Sequence, residues 1–181
     1  MMTSPVECIA ECTFASSALE LLPNGRRIEI RCLKPDDRDE LVAAIDRTSD
    51  ESLYRRFFAA KRGFTEQEIA FFLNIDFVNH VALVAVLDDG ERPVVGGGRY
   101  VVVQPGTAEV AFVVVDRYQG QGIGTALMRH LIAIARKAGI KELIAEVLPE
   151  NRAMLKAFRK VGLRLTTTRE PQVVHITLQL V

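Results

Sequence analysis

Three apolar runs follow one another with only short turns between them: "HVALVAVL" (80–87), "PVVGGGRYVVV" (93–103) and "AEVAFVVV" (108–115). The first turn contains Asp88-Asp89-Gly90, and the second is Gln104-Pro105-Gly106-Thr107. A parallel neighbour needs a crossover of about a dozen residues, so turns this short impose an antiparallel meander. The glycines 96 to 98 mark either a bulge or a backbone packed closely against another element.

The flanking segments supply helices and further strands. "RRIEIRCLK" reads as a strand, and Pro35-Asp36-Asp37 opens an amphipathic helix carrying Leu41, Val42 and Ile45. "SDESLYRRFFAA" begins with Ser49 as a cap and Ser52 three residues on. "TEQEIAFFLNI" has Thr65 three before Glu68, a capping-box spacing. The helical spacing of Tyr54, Phe57, Phe58, Phe71 and Phe72 places these rings in the core.

Downstream, Ile123, Leu127, Leu131, Ile134 and Ala138 form one helical face that Gly139 ends. "KELIAEVL" is a buried strand, "NRAMLKAFRKV" a helix capped by Asn151, and "LRLTTT" and "QVVHITLQL" are closing strands. The order β-α-α-α-β-β-β-α-β-α-β-β predicts an α/β chain with a mixed sheet and helices packed on it. Residues 1–24, ending at the turn signal Pro23-Asn24-Gly25, read as an extension that is either disordered or a short helix. Residues 25–181 read as one domain.

At 181 residues and 49% hydrophobic, the chain can bury a core without metals or disulfides. Lys plus Arg number 23 and so do Asp plus Glu, which leaves no global field for nucleic acid or an anionic membrane. Any bound anion must therefore be held by local geometry. Cys8, Cys12 and Cys32 make an odd count, which argues against a disulfide framework. A zinc site at Cys8 and Cys12 finds no further histidine or cysteine close in sequence, so no metal is expected. His80, His130 and His175 show no ligand pattern. With no basic leader and no run approaching the roughly 18 apolar residues that cross a bilayer, the expectation is a soluble cytoplasmic protein.

The last meander run passes directly into "DRYQGQGIGTAL" (116–127), with three glycines in five positions before a helix. Such a turn is either a connector needing positive φ or an anion site, where backbone N–H groups and the helix dipole converge. A phosphate-binding loop ending Gly-Lys-Ser/Thr fails for want of a lysine after Gly124. The dinucleotide pattern Gly-x-Gly-x-x-Gly fails too, because Thr125 or Leu127 takes its third slot.

What remains, Gln119-x-x-Gly122-x-Gly124, resembles the GNAT superfamily of N-acetyltransferases, whose acetyl-CoA pyrophosphate loop reads Gln/Arg-x-x-Gly-x-Gly/Ala. The likeness runs from "AEVAFVV" through the loop to "EVLPENRAMLKAFRKVGLRL". It implies a GNAT-like fold over 25–181, with a central, mostly antiparallel sheet splayed open to form a cofactor cleft. A narrower likeness, over "DESLYRRFFAAKRGFTEQEIAFFLNIDFVNHVALVAV", is to bacterial protein-lysine acetyltransferases that modify acyl-CoA synthetases. Arg55 and Arg56 within it read as surface charges.

The resemblance implies roles. The amides of residues 119–125 (Gln119, Gly120, Gln121, Gly122, Ile123, Gly124 and Thr125) would hold the pyrophosphate of acetyl-CoA. The backbone of Val113, Val114 and Val115, chiefly the Val113 and Val115 amides, would pair with the pantetheine arm. Asn151 would touch the cofactor or only cap its helix. Glu109, on the same strand face as Ala111, Val113 and Val115, would be a general base with its pKa raised by partial desolvation. Otherwise it is a strand-end carboxylate in water or paired with Arg117. Phe158 stands among the cofactor-binding positions where many relatives have a tyrosine acid, so either the thiolate leaves unassisted or another tyrosine such as Tyr118 serves.

These likenesses imply an N-acetyltransferase working by direct transfer, with a protein lysine as acceptor, no nucleic acid or membrane partner, and a monomer or homodimer. A small-molecule amine acetyltransferase and a non-catalytic acyl-CoA-binding sensor are the alternatives.

Overall fold

The computed structural model describes residues 17–61 and 63–181. Cys8 and Cys12, with most of the segment read as an extension, lie outside them. Eight strands form one sheet in the order β1-β2-β3-β4-β5-β6-β8-β7. The strands are β1 (Ala18–Leu21), β2 (Arg27–Cys32), β3 (His80–Leu87), β4 (Val94–Gln104), β5 (Thr107–Val114), β6 (Glu142–Val147), β7 (Leu165–Arg169) and β8 (Val174–Gln179). Five α-helices accompany them among the described residues: α1 (Arg38–Asp46), α2 (Asp50–Phe57), α3 (Glu66–Leu73), α4 (Ile123–Lys137) and α5 (Arg152–Lys160).

The meander forms as the short turns require, with β3, β4 and β5 paired antiparallel. The order of elements from β2 onward follows the sequence reading. Residues 18–21, inside the segment read as disordered or helical, are instead a strand paired with β2. Glu20 fixes this edge to α4 through an ion pair with Arg129 and a hydrogen bond with His130.

Both readings of the glycine run hold. The register shifts between Ala85 and Val86 opposite Gly96, a bulge. A Cβ at Gly98 would lie 2.6 Å from Phe112 Cδ1 and 3.1 Å from Leu131 Cδ1, so the missing side chain lets that ring lie flat on the strand.

One sheet face buries Val81, Leu83, Tyr100, Val110 and Phe112 under α4 and α5. The other buries Ala82, Val84, Val94 and Val115 with Leu33 and Ala44 of the α1 side. The helix caps form as read: Ser49 accepts from Ser52 N, Thr65 and Glu68 close a capping box, and Asn151 accepts from Met154 N. The aromatic residues divide more than their helical spacing implies. Phe72 is buried and packs with Phe57 and Phe64, while Tyr54, Phe58 and Phe71 are exposed.

Candidate active site

β5 and β6 run parallel, yet they pair only from Thr107–Glu142 to Glu109–Ile144. Beyond that point both strands continue while the ladder stops, and the gap is a cleft of about 390 Å³. Val110 to Val114 form one wall and Ala145 to Val147 the other. The glycine loop closes one end and α5 supplies Met154, Ala157 and Phe158. A splayed pair exposes backbone groups that a closed sheet would consume, which makes this a place for an extended ligand to add as a strand.

The glycine loop has the backbone geometry that an anion cradle requires. Gly120 (φ 71°) and Gly122 (φ 97°) adopt the left-handed region, and Gly122 is the N-cap of α4. Ala126 N donates to Gly122 O, the first bond of the helix. Among the described residues, the N–H groups of residues 120 to 125 have no acceptor in the chain. Gln119, Gly120, Gly122, Ile123, Gly124 and Thr125 all line the cleft. Gln121 does not: its side chain accepts from Asn24 Nδ2 at 2.8 Å and donates to Arg117 O at 3.2 Å.

The ladder moves the strand expectation by one residue. Val115 is buried and its N–H donates to Val95 O at 3.0 Å, so that amide belongs to β4. In an antiparallel ladder the backbone direction alternates, so Val113 also faces β4, while Phe112 and Val114 face the cleft. Val114 O already accepts from Gln119 Nε2 at 3.0 Å.

Helix α2 is tied to this loop by a network the sequence reading missed. Asp116 accepts from Ser49 N and Ser49 Oγ at 2.7 Å each, and from Ser52 Oγ at 2.8 Å. Gln119 Nε2 donates to Ser52 Oγ at 3.0 Å. Burial pushes the Asp116 carboxyl up, but the bonds from Ser49 and Ser52 together outweigh it and hold it below its ordinary value. The network brings Arg55 and Arg56 to the cleft, where Lys156 and Lys160 also stand. Arg55 pairs with Glu51, and its Nε is buried with no hydrogen-bond partner among the described residues. These two arginines therefore line the cleft, where the sequence suggested surface charges.

Glu109 stands at the fork, opposite Val101 on β4 and Ile144 on β6. It is exposed, which differs from the partly desolvated carboxylate expected of an apolar strip. Among the described residues it makes no ion pair within 4 Å, and Arg117 lies instead against the Tyr118 ring. The charge that Glu109 meets is Arg56. Burial pushes that guanidinium down to about 10, with Glu109 opposing the shift. Asn151 lines the cleft as well as capping α5, and Phe158, 2% exposed, meets Phe112 edge to face. Phe158 has no O–H to donate, and Tyr118 is the tyrosine that lines the cleft.

No helix among the described residues is long and apolar enough to cross a membrane.

Residues 48–163 match the acetyltransferase (GNAT) family. An acetyltransferase of Pseudomonas aeruginosa is 34% identical over 138 residues, 75% of this chain and 74% of its own. Acetyltransferase Pat of Mycolicibacterium smegmatis is 34% identical over 141 residues, which cover 76% of this chain but 41% of that longer protein. Among solved structures, the GNAT domain of S. lividans PAT superposes with a TM-score of 0.83 at 34% identity, covering 90% of this chain and 96% of that one. With its splayed sheet, its glycine cradle and these likenesses, the chain belongs to the GNAT family of acetyltransferases.

Proposed function

We propose that this acetyltransferase moves an acetyl group from acetyl-CoA to the side-chain amine of a protein lysine, with Glu109 as general base. The observation that carries the reading is the run of unbonded N–H groups at 120–125, set at the mouth of a cleft between two diverging strands. The chain has 23 basic and 23 acidic side chains, and such a cradle holds a diphosphate without a large positive field. Arg55, Lys156 and Lys160 complement its charge at the rim. The cleft-facing backbone of Phe112 and Val114 serves the pantetheine arm and Phe158 gives it an apolar wall.

The acceptor amine arrives protonated. A lysine of pKa about 10.4 is neutral in about one molecule in 2,500 at pH 7, a handicap near 4.6 kcal/mol. Glu109, at the fork and open to water, takes that proton directly or through one water. The freed nitrogen attacks the thioester carbonyl, the C–S bond breaks, the nitrogen sheds its second proton to solvent, and the thiolate takes one up from solvent. An exposed base suits an acceptor that enters from outside on a long side chain. The exposed rings of Tyr54, Phe58 and Phe71 on α2 and α3 offer a protein surface something to rest on.

The test is thiol release from acetyl-CoA by the purified chain with lysine peptides and polyamines. The reading expects lysine peptides to raise the rate well above acceptor-free hydrolysis. Binding of acetyl-CoA with no acceptor raising the rate would leave only a sensor.

A further inference from the structure

Several half-buried or exposed arginines of this fold meet a carboxylate. Arg27, Arg31, Arg38, Arg92 and Arg129 each have one within 4 Å. Arg56 and Arg99 do not, among the described residues. Arg56, on α2, lies where the cofactor cleft meets a second cavity of about 70 Å³ between α1, α2 and strands β3 to β5. It donates no hydrogen bond to any described residue and rests on the Phe57 ring at 4.6 Å. Its side chain is half-buried and lines both cavities.

Arg99, on β4, lines the same cavity. It contacts His80 Nε2 at 2.9 Å, Phe72 O at 3.4 Å and the Phe72 ring at 4.7 Å, all of them uncharged or aromatic partners. Burial pushes its guanidinium down to about 9, and the charge of Arg56 adds to the shift. Two cations lining one half-dry cavity are costly; the Glu109 carboxylate acts on Arg56 but forms no ion pair with it within 4 Å among the described residues, so an entering anion would relieve both. The planar fork of arginine binds carboxylate and phosphate bidentately, and of the two the carboxylate is the anion that amino acids and peptides themselves carry. Arg99 stands opposite Ala111, two residues from Glu109 along the same face, so it lies on the sheet face that carries Glu109.

We infer that Arg56 and Arg99 form a carboxylate-binding subsite for the acceptor, and that the favoured amine is carried on a molecule with a carboxylate close to it. This rests on the acetyltransferase reading given above. The carboxylate comes either from an acidic neighbour of a peptide lysine or from the acceptor's own α-carboxylate.

The experiment compares kcat/KM for two capped peptides, Gly-Glu-Lys-Glu-Gly and Gly-Gln-Lys-Gln-Gly, and for free lysine against lysinamide. The wild type should prefer the anionic member of at least one pair, and the pair that responds identifies the source. Arg56→Gln should cut that preference about tenfold or more, the range of one charge-assisted hydrogen bond, and Arg56→Lys should restore part of it. Equal use of both members of each pair by the wild type overturns the inference. So does an Arg56→Gln variant that keeps the preference and only raises KM for acetyl-CoA. Calorimetric titration of the same compounds onto CoA-saturated protein reads the subsite without turnover, so loss of acetyl transfer and loss of the subsite give different results.

Discussion

Ser52 donates its hydroxyl to Asp116 at 2.8 Å and accepts from Gln119 at 3.0 Å, which fastens α2 to the entrance of the glycine loop. The helix carrying Arg55 and Arg56 is thus positioned by the same residues that lead the chain from β5 into its anion cradle.

Removing the acceptor of three bonds should loosen that joint. Asp116→Ala leaves Ser49 and Ser52 without their partner and should cost about 1–3 kcal/mol. It should raise KM for acetyl-CoA more than it lowers kcat. Because the folded carboxyl titrates below its ordinary 3.8, its contribution is present above that pH and is lost as pH falls through the folded value. Denaturant titrations from pH 5 to pH 3 should therefore show a shallower loss in the variant than in the wild type.

Close approach and backbone conformation separate the glycines. Gly98→Ala drives a methyl into the Phe112 ring and should destabilise by about 1–3 kcal/mol. Gly124→Ala, inside α4 with its nearest neighbour at 3.9 Å, should be neutral or stabilising by up to about 1 kcal/mol. Urea midpoints at unchanged m-value rank the two.

Glu109→Gln should lower kcat/KM by about 10²–10⁴ while leaving the affinity for coenzyme A intact. The variant needs an amine that is already neutral, so its rate should keep climbing toward the lysine pKa of about 10.4. A pH–rate profile superimposable on the wild type removes Glu109 from the base role.

His80 gives the fold a second pH dependence. Burial, and then the charge of Arg99, hold its imidazole below the ordinary 6.5. The unfolded chain takes up that proton first, so this stability is complete above about pH 6.5 and is lost as pH falls. Unfolding midpoints at pH 7.5 and 5.5 should differ less in His80→Gln than in the wild type.

The strand and helix order from β2 onward was legible because turn length and periodicity are local. β1 was not: four residues, Ala18–Leu21, carry too short a pattern to register, and their partner β2 is what makes them a strand. The glycine cradle was legible from Gly120 and Gly122, whose positive φ values few other residues tolerate. Which β5 amides face the cleft was not, since side-chain alternation fixes the faces of a strand but not which neighbour its N–H groups meet. That phase comes from the pairing of Val115 with Val95. Arg55 and Arg56 looked like solvent charges because the Asp116 network that turns α2 toward the cleft spans more than 60 residues. Where the β5–β6 ladder stops, and hence where the cleft opens, is a tertiary fact with no local signature.

A diphosphate held by the N–H groups of residues 120 to 125 would leave a direct mark on those amides. Amide-resolved NMR titration with coenzyme A, and in parallel with pantetheine, which lacks the phosphates, tests for that mark. The account predicts large downfield shifts at 120–125 with coenzyme A and much smaller ones with pantetheine. Saturable coenzyme A binding that leaves those six amides unmoved would contradict it.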